Sequence, residues 1–544
     1  MPTLKASQLG IVRIRQARNE KGWSWNVDED DTCLLEASKV LDLNQNWLEG
    51  GPYAEGISGG TWKRFLGGKQ PISAAAFKAY CQVLGVNWEE VVERQRRSST
   101  LTKTHQDWGE AIDSSIFYGR TTELAQLEQW IVGERCHLVA VLGMGGIGKT
   151  ALCVKLAEAI KQSFEYLIWR SLRNAPPIEN ILASWLEFLS DGQKTDLPET
   201  VDGRISQLME YLRAHRCLLI LDDWETVMRS GELAGQYREG YESYGKLIRR
   251  VGEARHQSCL LLISREKPIE VSSLAGTTLP VRELKLRGLQ QADAKKLLAT
   301  KSSSSLKGGS EELIQLYRGN PLALKIITTT IQEIFDGDID ELLDQSTLVI
   351  GDILPSLLNQ HFERLSALEM GIVYGLAIAN QPLSLLQLKV DLQFSVSSLS
   401  KLVPALESLK RRSLLEKESS QTGNEATFTL QPVVMKYVIN QLIDHVGRDI
   451  IATVTTQSIS KLGLLRTHAL VKEEATAEMK QIQTRLILTR VVDRLYLTLT
   501  GVDPLEEQLN QVLLMLQRHS TQAVGYAPTN IRNLINVIEG KLPQ

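Results

Sequence analysis

The feature that most constrains this chain is a glycine-rich segment that fits the spacing G-x-x-x-x-G-K-[ST]. It follows the apolar run His137–Gly143 and precedes an amphipathic stretch. Glycines let backbone N–H groups converge on phosphate oxygens, and the N-terminus of a following helix favours the same anion. The segment therefore predicts a strand, a phosphate-binding loop and a helix. The residues of this predicted loop are Gly143, Met144, Gly145, Gly146, Ile147, Gly148, Lys149 and Thr150.

Two of these side chains carry distinct predicted roles. We expect the Lys149 ammonium to reach the β- and γ-phosphates of a bound nucleotide. The Thr150 hydroxyl is a suitable ligand for Mg²⁺.

A second apolar run, Cys217–Asp223, ends in two carboxylates. Ligands of open α/β sheets bind at the carboxyl ends of the strands, so we expect Asp222 to hold Mg²⁺ there. Asp223 is placed to orient or deprotonate an attacking water. The alternative is that Asp223 or Glu225 caps the next helix, and for Glu225 we prefer that interpretation.

A third apolar run, Cys259–Ser264, leads directly into Arg265. One interpretation is that Arg265 senses a γ-phosphate from a neighbouring strand. The alternative is a surface ion pair, and the sequence leaves both open. Tyr166–Ser171 is a fourth run of this kind, and the alternation of such runs with amphipathic segments predicts a doubly wound α/β domain.

Composition excludes several other classes of protein. The chain has 61 Lys and Arg against 64 Asp and Glu, a net charge of −3, so no global basic field exists to bind nucleic acid or an anionic membrane. The N-terminus lacks an apolar signal segment and no apolar run is long enough to span a bilayer, so we expect a cytoplasmic protein. The six cysteines lack C-x-x-C spacing and are expected to be buried, reduced thiols.

Further motifs point to one family. Phe117-Tyr118-Gly119-Arg120 is similar to its entry motif, Ser264-Arg265 to its sensor motif, and Gly319-Asn320-Pro321-Leu322-Ala323 to its GxPLA motif. Together with the glycine-rich loop, these segments resemble the NB-ARC group of signal-transduction ATPases with numerous domains (STAND proteins). The likeness covers roughly residues 115–445.

The resemblance implies roles for three more residues. Arg120 would lie near the adenosine, and Pro321 would pack on the adenine. Gln431, within Leu430-Gln431-Pro432, stands where the family carries a histidine that contacts the β-phosphate of ADP. The resemblance also implies an ADP-bound resting state, slow ATP hydrolysis, and opening on ATP exchange that allows self-association.

The domain organisation follows from these patterns. We predict a multidomain chain with a P-loop α/β core, a helical domain, a winged helix, and all-α regions at both ends. The predicted boundaries are 1–94 for a helix-turn-helix-like domain, 95–115 for a linker, 116–287 for the nucleotide-binding domain, 288–350 for the helical ARC-type domain, 351–445 for the winged helix and 446–544 for the C-terminal helices.

The N-terminal region resembles, more weakly, a repressor-type helix-turn-helix. Residues 58–69 would then be the recognition helix and its flank, with Lys63, Arg64 and Lys69 facing DNA. Residues 1–98 carry 13 Lys and Arg against 12 Asp and Glu, which is a weak basic footprint. A protein–protein adaptor of this shape is therefore the competing interpretation.

Three functions remain open at this point. The first is a nucleotide switch in signalling or a conflict response, with an unknown protein trigger or effector. The second is an ATP-dependent transcriptional regulator that binds DNA through the N-terminal region. The third is a metabolic P-loop enzyme, for which we find neither a substrate pocket nor a lid with extra arginines. DNA contact from Arg411 and Arg412 of the predicted winged helix is a weaker expectation.

Overall fold

A computed structural model describes residues 3–24, 31–42, 45–68, 70–92, 104–192, 197–301, 306–344, 353–393, 398–419, 426–499 and 504–541. The chain divides into two compact units, Met1–Thr102 and Lys103–Gln544. The predicted linker at 95–115 therefore includes the division, although residues 93–103 lie outside the described part.

The first unit is mainly helical. Its elements are β1 (Thr3–Leu4), α1 (Gln8–Glu20), α2 (Thr32–Leu41), α3 (Gly59–Gly67), β2 (Ile72–Ser73), α4 (Ala74–Val83) and α5 (Trp88–Val91). The predicted helix after Ser58 is α3, which Ser58 caps by accepting the Thr61 N–H, and Gly68 ends it in the left-handed region at φ 60°. Trp62 and Phe65 of α3 are buried in the core of this unit.

The second unit is built on a six-stranded parallel sheet. Its strands are β3 (His105–Asp107), β4 (Leu138–Leu142), β5 (Tyr166–Ser171), β6 (Cys217–Asp222), β7 (Cys259–Ser264) and β8 (Val281–Lys285). The strand order is β3-β5-β6-β7-β4-β8, and every neighbouring pair is parallel. This sheet is the predicted α/β P-loop core, and β4 to β7 are the four predicted apolar runs.

Both faces of the sheet are buried. In β6, Leu219 and Leu221 pack on one face while Leu218 and Ile220 pack on the other, because successive strand residues point to opposite sides. The surrounding helices are α6 (Thr121–Glu128), α7 (Lys149–Ile160), α8 (Ile178–Leu189), α9 (Val201–Ala214), α10 (Ser243–Glu253) and α11 (Ile269–Leu274). A π-helical turn, Gln129–Gly133, extends α6, and 3-10 turns span Lys161–Ser163 and Trp224–Val227.

Two helical layers follow the sheet. The next elements are α12 (Gln291–Lys301), α13 (Ser310–Leu316), α14 (Pro321–Ile334), α15 (Ile339–Asp344), α16 (Ile353–Phe362), α17 (Ala367–Ala379), β9 (Leu383–Ser384), α18 (Leu385–Asp391), α19 (Leu399–Arg411), β10 (Leu415–Ser419) and β11 (Ala426–Leu430). The last three strands form an antiparallel sheet in the order β10-β11-β9.

The C-terminal region is helical, with further short turns at Ile459–Lys461 and Thr484–Leu488. Its helices are α20 (Pro432–Thr456), α21 (Gly463–Thr467), α22 (Ala477–Gln483), α23 (Thr489–Thr498), α24 (Leu505–Leu516), α25 (Thr521–Val524) and α26 (Ala527–Ile538). The predicted boundary at residue 445 falls inside α20. One apolar cluster runs from Ala294 to Val537, so the regions after the sheet share a continuous core.

Two general expectations are also addressed by the fold. All six cysteines are buried and none is in a disulfide. Within the described ranges, no helix has the length and apolar character needed to cross a membrane.

Candidate functional site

A cavity of about 290 Å³ opens at the carboxyl ends of the central strands. We call it the loop cavity, because residues 146–150 of the predicted phosphate loop line it. It brings together most of the side chains singled out from the sequence. The predicted site residues that line it are Arg120, Gly146, Ile147, Gly148, Lys149, Thr150, Asp222, Asp223, Arg265 and Pro321.

The loop itself is held from two sides. Arg120 donates to the Ile147 carbonyl at 3.1 Å, and Asn320 donates to the Gly145 carbonyl at 3.2 Å. Gly146 has φ 73°, and a Cβ there would lie 2.8 Å from the Leu322 side chain, so glycine is required. The entry segment and the N-terminus of α14 thus fix the loop, and Arg120 acts through the loop backbone as well as lining the cavity.

Lys149 is the first residue of α7 and is buried. Its ammonium donates to the carbonyls of Gly143 at 3.0 Å and Met144 at 3.1 Å. Burial lowers the pKa of Lys149, and the nearby carboxylate of Glu225 opposes that shift. An incoming phosphate would offer this ammonium a stronger, charged acceptor than a carbonyl.

The two predicted metal ligands lie side by side. Asp222 is buried at the end of β6, and its side chain hydrogen-bonds with Thr150. Burial, with the neighbouring charge of Asp223, raises the pKa of Asp222 to about 7. A nearby cation would stabilise the ionised form of this buried carboxylate. Mg²⁺ needs only one or two protein ligands beside phosphates and water, so Asp222 and Thr150 fit this ion.

Asp223 follows in the left-handed conformation at φ 56°. It accepts from the Ser171 hydroxyl at 3.3 Å and pairs with Arg173 at 3.4 Å. Its side chain makes no capping bond to the next turn, so the capping alternative does not describe it.

Glu225 differs from the sequence interpretation. It is buried inside the 3-10 turn Trp224–Val227, accepts from the Arg265 backbone N–H at 3.0 Å, and pairs with the Arg265 guanidinium at 3.0 Å. The prediction of a helix cap was wrong, because Glu225 follows the start of the turn and its carboxylate points to β7. Arg265 is in an ion pair and also lines the loop cavity, so its two alternatives are not exclusive.

His361, which the sequence reasoning missed, touches the loop directly. It lies on α16, is 5% exposed, and its Nε2 accepts the Gly145 N–H at 3.0 Å. Burial, with the positive charges of Arg265 and Lys149, holds the pKa of His361 well below its ordinary value, so the imidazole is neutral. No local pattern marks this histidine, since its partner is 216 positions away.

Gln431 lies elsewhere. It precedes α20 and lines a separate cavity of about 560 Å³ on the other side of the loop, together with Gly143 and Met144. Gln431 does not line the loop cavity, and the family-based expectation that it contacts a phosphate stays a prediction. His361, from a different helix, occupies the loop instead.

Apolar side chains also line the loop cavity. Ile116, Phe117 and Pro321 line it, with Leu289 and Leu297 beside them. A flat apolar group attached to a charged chain therefore fits this cavity, with its charge on the loop.

A polar cavity of about 610 Å³ adjoins this site and shares Asp223, Glu225 and Arg265 with it. A buried ion network borders it. The Glu266 carboxylate pairs with Arg364 at 3.0 Å and with Arg412 at 2.7 Å, and Arg412 pairs with Glu369 at 3.1 Å. Arg411 donates to the Ala234 carbonyl at 3.3 Å, so both arginines once considered for DNA are engaged within this unit.

The chain was compared with known proteins. Residues 120–234, which include the loop and both aspartates, match the NB-ARC domain. The chain is 42% identical over 98% of its length to an uncharacterized WD repeat-containing protein of Nostoc sp., and it spans about half (46%) of that relative.

Other relatives match smaller parts. A disease resistance protein of Arabidopsis thaliana is 29% identical over 97 residues, 16% of this chain and 10% of that protein. A STAND protein with a tetratricopeptide repeat sensor from Pyrococcus horikoshii is similar over 80% of this chain and 66% of its own, with 16% identity and a TM-score of 0.31.

Proposed function

We propose that this chain is an adenine-nucleotide switch that binds ADP or ATP with Mg²⁺. The observation that carries the proposal is the loop cavity, where apolar side chains line the same space as the loop, Lys149 and Asp222. A nucleotide combines the matching groups, a flat base and a phosphate chain. Pro321 and Phe117 would contact the base, and the NB-ARC domain supports adenine as its identity.

Thr150 and Asp222 are the residues that would hold Mg²⁺. The ion would neutralise phosphate charge and draw the Asp222 proton away, since a nearby cation favours the carboxylate. Lys149 would exchange its two carbonyl acceptors for phosphate oxygens.

ATP hydrolysis would be slow and regulatory. Asp223 stands between the loop cavity and the polar cavity, so it can orient a water that enters from the polar side. Its carboxylate already pairs with Arg173 at 3.4 Å and accepts from the Ser171 hydroxyl at 3.3 Å, so a water would have to compete with these partners. Arg265 would contact the γ-phosphate only if its pair with Glu225 opens.

Closure of the switch would depend on the region after residue 351, which we assign as a winged helix. Its support is the order α17, β9, α18, α19, β10 and β11 with an antiparallel three-stranded sheet. The Glu266–Arg412 pair and the His361–Gly145 bond join this region to the NB-ARC side of the unit. A phosphate at Gly145 would compete with the neutral imidazole, so nucleotide state would alter this junction.

The output would be self-association that signals to a protein partner. Disease resistance proteins are among the relatives, which favours a defence or conflict role. We assign the N-terminal unit as a protein adaptor, because the aromatic side chains of α3 form its core and Arg64 folds back onto the Gly60 carbonyl at 3.2 Å. DNA binding through residues 58–69 stays a prediction, and Lys69 lies outside the described residues.

The proposal is tested by identifying the nucleotide retained by the purified chain and measuring its mass by light scattering. We expect an ADP-loaded monomer that assembles when ADP is replaced by a non-hydrolysable ATP analogue with Mg²⁺. A chain that holds nucleotide but has one mass in both states would refute the switch and leave the binding site standing.

A further inference from the structure

The cavity behind the loop, which Gln431 lines, is strongly basic. Among the described residues that line it, five are cationic and one is a carboxylate. The cations are Lys285, Arg287, Arg318, Lys410 and Lys417, and the carboxylate is Glu416. The whole chain has a net charge of −3, so this excess is local. We call this the basic cavity.

The five cations come from three separate parts of the fold. Lys285 ends β8 beside β4, opposite Leu142, and Arg287 follows it next to the loop. Arg318 lies in the turn before α14, which packs so tightly on this segment that a Cβ at Gly288 would lie 1.7 Å from the Arg318 carbonyl oxygen. Lys410 is the penultimate residue of α19, and Lys417 lies on β10.

Among the described residues, the carboxylates beside these five cations are fewer than the cations: they are Glu416, Glu283 and Glu407. Glu416 approaches Arg318 at 3.8 Å, a weak pair with an exposed arginine. Desolvation, with the positive charges of Lys410 and Arg287, lowers the pKa of Lys285, while the carboxylates of Glu416 and Glu283 oppose that shift. The cations are therefore close enough to repel one another, and an anion placed among them would relieve that repulsion.

We propose that the basic cavity binds a small polyanion built on a chain of phosphates, either inorganic or attached to a nucleoside. Arginine and lysine together suit phosphate, since arginine offers paired donors and lysine a point charge. The volume of about 560 Å³ is in the range of small-molecule sites. A smaller cavity of about 270 Å³ shares Lys285 and Lys410 with the basic cavity, and its carboxylates, Glu283 and Glu407, would repel a long polyanion that runs past the opening.

Such a ligand would join the parts that form the cavity. It would contact β8, the turn before α14 and the α19–β10 segment at once. Gly143 and Met144 of the phosphate loop also line the basic cavity, and their carbonyls accept from Lys149. A ligand in the basic cavity would therefore contact the phosphate loop as well. A ligand that binds the folded state alone raises the unfolding temperature.

The test measures tripolyphosphate binding by calorimetry in EDTA, on the full chain carrying Lys149→Ala so that the loop is weakened. The variant adds Lys410→Gln and Arg287→Gln. The matched control adds Lys401→Gln, on the same helix, and Arg532→Gln, both exposed and outside the cavity. We expect binding to the Lys149→Ala chain and its control, and a loss of at least about tenfold in the double variant.

Two further arms decide the outcome. Repeating the comparison on the chain with Lys149 intact and saturated with ADP guards against misfolding of Lys149→Ala. ATP that binds more tightly than tripolyphosphate would support a nucleotide source, and equal affinity would support an inorganic one. The proposal would be overturned if tripolyphosphate did not bind, or if it bound equally to the variant and the control. It would also be overturned if duplex DNA bound through Lys410 and Arg287 while tripolyphosphate did not. Failure of MgATP to bind at the loop cavity would refute the proposed switch but leaves this result unchanged.

Discussion

The two cavities that meet at the phosphate loop balance their charges in opposite ways. In the loop cavity, the cations lie among carboxylates of the same fold, as in the pairs Arg265–Glu225 and Arg120–Glu123. In the basic cavity, five cations face one carboxylate. The difference fits the two proposed ligands. A site for a metal ion bound together with an anion needs carboxylates to hold the metal, whereas a site for an anion alone needs an excess of cations.

The largest expected effect is the loss of nucleotide affinity at the loop cavity. Lys149→Ala should weaken MgADP binding about a thousandfold, because it removes about two charge-assisted hydrogen bonds to phosphate. The control is Lys155→Ala on the same helix, whose ammonium pairs with Glu158 at 3.0 Å. Calorimetry is the measurement. Unchanged affinity in Lys149→Ala would mean that the phosphate loop does not bind the nucleotide.

Asp223→Asn should leave MgATP affinity within about threefold and slow hydrolysis about hundredfold, the usual share of a general base. The measurement is single-turnover phosphate release. Asp202→Asn, an exposed carboxylate on α9, serves as the control. Equal turnover in both variants would mean that Asp223 does not act on water.

A third prediction concerns protons on Asp222. Its pKa of about 7 means that it is protonated below that pH, so Mg²⁺-dependent binding should weaken about tenfold from pH 8 to pH 6. The metal-free chain, in turn, should lose unfolding free energy as pH rises through the window from 3.8 to about 7, because its folded state binds the extra proton. Denaturation with and without Mg²⁺ measures both effects. A flat profile would contradict the buried carboxylate.

The smallest expected effect is the change of MgADP affinity with salt, which should differ from that of tripolyphosphate at the basic cavity. Raising NaCl from about 50 to about 300 mM should change MgADP affinity by less than about threefold, since buried charges are poorly screened. Tripolyphosphate binding at the exposed cations should weaken about tenfold. Equal salt dependence at both cavities would remove the distinction between them.

The sequence predicted the parts of this site that follow from parallel strands. Lys149, Asp222 and Arg265 are far apart in the chain, but each follows a buried apolar run, and the carboxyl ends of parallel strands meet at one edge. The edge strand His105–Asp107 was not predicted, because three polar residues carry no strand pattern.

Contacts made by helices after the sheet could not be predicted in this way. His361 reaches Gly145 only because α16 packs on the loop, and nothing in its neighbours signals that. Gln431 was assigned by its position in a motif, and the start of α20 places it behind the loop. The cations of the basic cavity come from three stretches that are far apart in the chain.

The most direct test of the central claim is calorimetric titration of the purified, folded full chain with MgADP at pH 8, after removal of retained nucleotide. The account predicts saturable binding of one nucleotide per chain, weakened about a thousandfold when Lys149 is replaced by alanine. No binding heat at several temperatures, with no nucleotide retained on the folded chain, would contradict it.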